Sequence, residues 1–130
     1  MIERDSKIQS PAEALTEIKV ESDISFEDVK FKYPTPENAP YVFTGMSFKL
    51  KVGTSTAIVG PSGSGKSTIV QLLNRLYDPE EGTVRYGNDN VKSLDLVKLR
   101  DMIGYVGQEP VLIIGTIREN LQYGNADATD

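Results

Sequence analysis

The sequence Gly60-Pro61-Ser62-Gly63-Ser64-Gly65-Lys66-Ser67 decides what this 130-residue chain can be. It matches the pattern G-x-x-x-x-G-K-[ST] at every fixed position, in which backbone amides surround a phosphate chain and a lysine adds a positive charge. We expect Gly60, Gly63 and Gly65 to allow positive φ angles and close backbone approach to the anion. The hydroxyl of Ser67 can coordinate Mg²⁺ that bridges the same phosphates. We call residues 60–67 the phosphate loop.

The residues on both sides of the phosphate loop favour anion binding over a flexible Gly/Ser-rich turn. Residues 56–59 form a short apolar run, which predicts a buried strand ending at the loop. Apolar side chains recur at helical spacing over residues 66–76, which predicts a helix whose positive end faces the phosphates. A strand, a glycine loop and a helix in this order are the context that confirms a phosphate-binding loop.

Hydrophobic patterning elsewhere predicts an α/β architecture, with strands first and then alternating helices and strands. Further strands are predicted at residues 24–33 (with an irregularity), 46–50, 83–86 and 103–106. A short helix is predicted through Leu96, Leu99 and Ile103, entered at Ser93 and with Asp95 near its positive end. A capping box at Thr116 and Glu119 predicts a last helix, and a short helical piece is expected near residues 12–18.

Composition excludes several functions. The formal net charge is -5, which argues against broad binding of nucleic acid, because such binding needs surplus Lys and Arg. The chain has no Cys and no His, so disulfides, thiolate metal sites and histidine bases are all impossible. It also has no apolar run long enough for a membrane helix and no signal-peptide core at its N-terminus. Any membrane part would therefore lie outside this chain.

Four motifs together resemble the nucleotide-binding domain of ABC transporters, most closely the multidrug-exporter branch (P-glycoprotein-like, B subfamily). They are residues 59–68 around the phosphate loop, Leu72-Leu73-Asn74-Arg75-Leu76-Tyr77-Asp78-Pro79 with Gly82, Ile103-Gly-Tyr-Val-Gly-Gln-Glu-Pro-Val-Leu112 after Leu99-Arg100, and residues 116–121 with Tyr123-Gly124. The resemblance runs from about residue 24 to 124. Tyr86-Gly87 and Ile113 depart from the family pattern, but neither touches the phosphate chemistry.

The resemblance implies an incomplete ABC ATPase (P-loop NTPase) fold with an N-terminal antiparallel β subdomain. Residues 1–22 would be a linker from a transmembrane domain, since Ile2-Glu3-Arg4 resembles the segment after the last membrane helix of such exporters. Met1 would then be an internal methionine. Residues 23–130 would be the first part of the nucleotide-binding domain, which ends before the signature motif and the Walker B strand.

The resemblance also implies the site residues. Those expected to bind ATP are Tyr33, Gly60, Pro61, Ser62, Gly63, Ser64, Gly65, Lys66, Ser67, Thr68 and Gln108. Tyr33 would stack on adenine, while Ser67 and Gln108 would hold Mg²⁺, and Lys66 and Gln108 would take part in catalysis. Glu109 follows an apolar run as a Walker B acid would, but the flanking glycines and proline favour a loop carboxylate instead.

The implied function is ATP binding by this chain, and ATP hydrolysis that drives export across a membrane by the full-length protein. The chain alone would bind ATP without hydrolysing it. The implied partners are a second nucleotide-binding domain in a head-to-tail dimer and transmembrane domains, at the cytoplasmic face of a membrane. The phosphate loop alone leaves open a non-transport enzyme such as a GTPase, a small-molecule kinase or a coiled-coil DNA-repair ATPase, and a regulatory module that binds nucleotide without hydrolysis.

Overall fold

A computed structural model describes residues 7–18, 22–109 and 111–124, in which strands precede most of the helices. The elements are β1 (Ile24–Phe31), β2 (Phe43–Leu50), α1 (Lys66–Leu73), β3 (Glu81–Tyr86), β4 (Asp89–Asn90), a 3₁₀ turn (Val91–Ser93), α2 (Leu96–Asp101) and α3 (Ile117–Gln122). The predicted match at Ile2-Glu3-Arg4 lies outside the described residues.

The four strands form one antiparallel sheet in the order β2-β1-β3-β4. The predicted N-terminal antiparallel subdomain is therefore confirmed. Strand β1 is central and carries three fully buried side chains, Phe26, Val29 and Phe31. The ring of Phe26 stacks on that of Phe48 from β2, with centroids 4.5 Å apart. The buried core combines this face of the sheet with apolar side chains of α1 and α2.

The predicted irregularity in β1 is a β-bulge. The pairing of β1 with both neighbouring strands shifts register after Phe26 and Glu27, and Asp28 adopts a left-handed φ of 47°. Gly82 lies opposite with φ +79°, and a Cβ atom there would run into the carbonyl groups of Glu27 and Asp28. The bulge in β1 therefore requires a glycine in β3.

Helix α1 is shorter than its apolar spacing predicts. It buries Ile69 and Leu72 but ends at Leu73, and Arg75 just beyond it takes a left-handed φ of 46°. Arg75 is only 5% exposed, and its guanidinium donates to Asp78 and to the Leu94 carbonyl. Because the last carbonyls of a helix lack internal donors, the chain supplies others here. Arg100 of α2 donates to the carbonyls just past α1, at residues 74 and 75.

Helix α2 begins at Leu96, with Asp95 as its N-cap and Ser93 in the preceding 3₁₀ turn. Asp95, rather than Ser93, therefore caps the helix. Its side chain accepts from the Lys98 amide, which lowers the pKa of this carboxyl below its usual value.

The helical piece predicted near residues 12–18 is absent, so this prediction is wrong. The backbone there is tied to the start of α2: the Leu15 amide donates to the Ser93 carbonyl, and the Leu15 carbonyl accepts from Asp95. These bonds make Leu15 an isolated β-bridge partner of Leu94, so both of its backbone groups are committed to another part of the chain.

Two predicted strands are not formed. Residues 56–59 and 103–106 are irregular, and Val59 and Val106 are 87% and 95% exposed. An apolar run becomes a strand only when neighbouring strands satisfy its N–H and C=O groups. Among the described residues no strand pairs with either run, so the local pattern alone gave the wrong result.

Helix α3 confirms the predicted capping box. Thr116 accepts from the Glu119 amide, while Glu119 accepts from the amide and hydroxyl of Thr116. These donors lower the pKa of the Glu119 carboxyl. None of the helices in the described ranges is long and apolar enough to cross a membrane.

Replacing Gly82 by alanine should destabilise the protein more than the same change at Gly53. Both glycines have left-handed φ angles (+79° and +70°), but a Cβ atom at Gly53 would meet nothing within 4 Å. We expect Gly53→Ala to lower the free energy of unfolding by about 1 kcal/mol through backbone strain alone. Gly82→Ala should cost about 1–3 kcal/mol more, because the bulge must move. Urea denaturation measures both values, and equal losses would contradict the role assigned to Gly82.

Candidate functional site

Lys66 closes the phosphate loop on itself. Its ammonium group donates to the carbonyl oxygens of Gly60 (2.8 Å) and Pro61 (2.7 Å), and a turn within the loop joins the Ser64 amide to Pro61. The loop is otherwise exposed to solvent. A single flexible side chain therefore holds the loop curled, and its charge lies inside the curl where an anion would enter.

The three glycines of the loop are required for different structural reasons. Gly63 and Gly65 have φ angles of +80° and +88°, as predicted. Gly60 does not have a positive φ, so that part of the prediction is wrong. Instead, the missing side chain at Gly60 leaves room for the Ser64 hydroxyl, whose oxygen would lie 2.7 Å from a Cβ atom there. At Gly65 a Cβ atom would also approach the Phe43 ring to 2.6 Å, so the loop lies directly on β2.

The first turn of α1 presents an open positive end at the loop. The helix begins at Lys66 with Gly65 as its N-cap, no side chain caps it, and no acidic residue occupies its first turn. The first amides of a helix have no partner within the helix and carry partial positive charge. This arrangement of amides, ammonium and helix end is suited to a phosphate chain.

Tyr33 lies beside the same helix turn and is half-buried. Its hydroxyl is 2.8 Å from the Thr68 hydroxyl and donates to the Gln71 side-chain oxygen at 2.7 Å. Its ring makes edge contacts with Phe31 and Tyr77, with centroids 5.1 and 5.3 Å apart. The structure therefore brings the predicted base-stacking residue next to the predicted phosphate site.

Ser67 and Gln108 line one cavity of about 610 Å³. Gln71, Asn74 and Arg100 also contribute to its wall. The hydroxyl and amide oxygens of Ser67 and Gln108 are hard ligands, and Mg²⁺ typically takes only one or two protein ligands besides water and phosphate oxygens. These two residues therefore fit the predicted metal site. Glu109 is exposed in the loop beyond them, and no group of three or more acidic side chains able to hold a metal occurs among the described residues.

Two residues that the sequence reasoning missed belong to this region. Gln71 contacts Tyr33 and also lines the cavity shared by Ser67 and Gln108, and Tyr77 packs on the Tyr33 ring. The helical pattern contained a signal for Gln71, because it follows Thr68 by three positions on the same face of α1.

Comparison with known proteins gives the family. The sequence model of the ABC transporter family matches residues 43–130, more than half of the chain. The chain belongs to the ABC transporter family. It is 47% identical over 113 residues to the ATP-dependent permease MDL1 of Candida albicans, which covers 86% of this chain and 16% of the permease.

Other relatives agree with this family membership. The ABC multidrug transporter mdr4 of Aspergillus fumigatus is 49% identical over 110 residues, or 85% of this chain and 8% of the transporter. A structure described as a bacterial Atm1-family ABC exporter with ATP bound superimposes with a TM-score of 0.86 at 34% identity, over 95% of this chain and 21% of the exporter chain. The chain thus spans only a small part of the relatives it matches.

Proposed function

We propose that this chain binds ATP through the phosphate loop and α1, and that the full-length protein uses ATP hydrolysis to drive export across a membrane. The observation that carries the proposal is the loop curled around Lys66 at an uncapped, acid-free helix start. The backbone amides and the ammonium group there supply hydrogen-bond donors and positive charge to a polyphosphate, and this binding needs no general base. Two of the three N–H donors of the Lys66 ammonium are bonded to the loop carbonyls, so the third can reach a phosphate oxygen directly.

The remaining predicted residues take defined roles in this proposal. Tyr33 offers an aromatic face to adenine, since stacking binds a purine without base-edge hydrogen bonds. Thr68 follows Ser67 at the start of α1 and would lie near the α-phosphate. Ser67 and Gln108 would hold Mg²⁺, which supplies positive charge to the phosphate oxygens when bound. The fit of Ser67 and Gln108 to a shared cavity supports this assignment.

The proposed partners and location of this chain rest on its family membership. The relatives named above are described as an ATP-dependent permease, a multidrug transporter and an exporter. We propose that this chain works at the cytoplasmic face of a membrane, pairs head to tail with a second nucleotide-binding domain, and contacts transmembrane domains. The exposed apolar residues Val111, Leu112, Ile114, Ile117 and Leu121 support a contact surface after Gln108.

Lys66→Ala should weaken ATP binding by about 10- to 100-fold, because a charge-assisted contact to phosphate is worth about 1.5–3 kcal/mol. Lys51→Ala is the matched control, since Lys51 is an exposed lysine just after β2 and outside the loop. Isothermal titration of the 130-residue chain with Mg-ATP measures both. Equal affinity of the Lys66→Ala chain and the unsubstituted chain would refute the proposed site.

Ser67→Ala should remove most of the gain in ATP affinity that Mg²⁺ provides, because the hydroxyl is the proposed metal ligand. The measurement compares ATP affinity with Mg²⁺ and with excess chelator. Ser55→Ala, an exposed serine outside the loop, should keep the full Mg²⁺ effect. A Ser67→Ala chain whose affinity still depends on Mg²⁺ to the original extent would show that the metal is held elsewhere.

A further inference from the structure

The hydroxyl of Tyr33 belongs to a directed hydrogen-bond chain. The Gln71 side-chain oxygen only accepts, so the single phenolic proton of Tyr33 is donated to it over 2.7 Å. The Thr68 hydroxyl, 2.8 Å away, must then donate to the Tyr33 oxygen. Thr68 is only 3% exposed, so this chain is largely shielded from water on its helix side. Both partners of Tyr33 lie on α1, the helix that begins at the phosphate loop.

The ring of Tyr33 also packs against two other aromatic rings. Phe31 and Tyr77 meet it in edge contacts at interplanar angles of 78° and 89°. These contacts fix the ring near its β1 end, whereas Gln71 and Thr68 fix its hydroxyl end to α1. The hydroxyl end of the ring therefore cannot move away from α1 without losing these hydrogen bonds, while rotation of the ring plane is limited by Phe31 and Tyr77.

We infer that Gln71 is a positioning residue for the nucleotide base: by accepting the hydrogen bond of the Tyr33 hydroxyl it sets the aromatic ring at a fixed place relative to the phosphate loop. This inference rests on the proposed stacking of adenine on Tyr33. Gln71 also lines the cavity of Ser67 and Gln108, but its side-chain oxygen accepts from Tyr33 and no hydrogen bond joins it to the phosphate loop among the described residues. Its loss should therefore weaken the share of affinity that comes from the base and leave the share that comes from the phosphates.

The test compares two ligands that differ in the base and ribose. Gln71→Leu in the 130-residue chain should bind Mg-ATP about three- to tenfold more weakly, the range of one hydrogen bond. Its affinity for Mg-tripolyphosphate should change by less than about twofold, since the phosphate loop is intact. Gln9→Leu, an exposed glutamine in the segment before β1, is the matched control and should alter neither affinity. Gln71→Met, unbranched and of similar length, serves as a second variant if the leucine disturbs folding.

A double-mutant cycle separates positioning from a general structural effect. In a Tyr33→Phe chain, which keeps the ring but lacks the hydroxyl, Gln71→Leu should cause no further loss of Mg-ATP affinity. The role given to Gln71 would be overturned by equal losses for ATP and tripolyphosphate, by additive losses in the Tyr33→Phe chain, or by an unchanged ATP affinity. None of these three results would contradict the proposed binding of ATP. If the unsubstituted chain bound neither ligand, the proposed function would fail and the inference with it.

Discussion

The open positive end of α1 is the constraint on which the rest of this site depends. A helix that starts with a glycine, without a capping side chain and without an acid in its first turn, leaves several amides and a partial positive charge facing outward. Gly65 makes this start possible, because its left-handed φ turns the chain into the helix and its lack of a side chain lets the loop rest on Phe43. Lys66 adds a full charge at the same place.

Helix α1 links this open end to the rest of the domain. Its inner face enters the core through Ile69 and Leu72, and its first turns hold the Tyr33 hydroxyl through Thr68 and Gln71. Arg100 of α2 binds the carbonyls just beyond the other end of the helix. Tyr33, the phosphate loop and the core therefore all contact one helix, so their relative positions are fixed by packing as well as by the loop itself.

The sequence predicted those features that are decided by near neighbours. Helix α1 and the capping box at Thr116 follow from local spacing and local hydrogen bonds. The alternation in β1 also predicted a strand, which forms because β2 and β3 pair with it. The runs at residues 56–59 and 103–106 were predicted as strands and are not, because a strand depends on partners that local spacing cannot reveal. The hydrogen bonds of Tyr33 to α1 could not be predicted from local spacing either, since Thr68 and Gln71 follow Tyr33 by 35 and 38 positions in the chain. Gly60 shows a subtler error, in which the correct residue was given the wrong physical reason.

The most direct test of the central claim is a titration of isotope-labelled protein with Mg-ATP, followed through backbone amide resonances. If main-chain donors of the loop and the first turn of α1 bind the polyphosphate, the amides of residues 63–68 should show the largest shifts, and those of β3 and β4 should barely move. Shifts confined to other parts of the chain, with the amides of residues 63–68 unchanged, would contradict the claim.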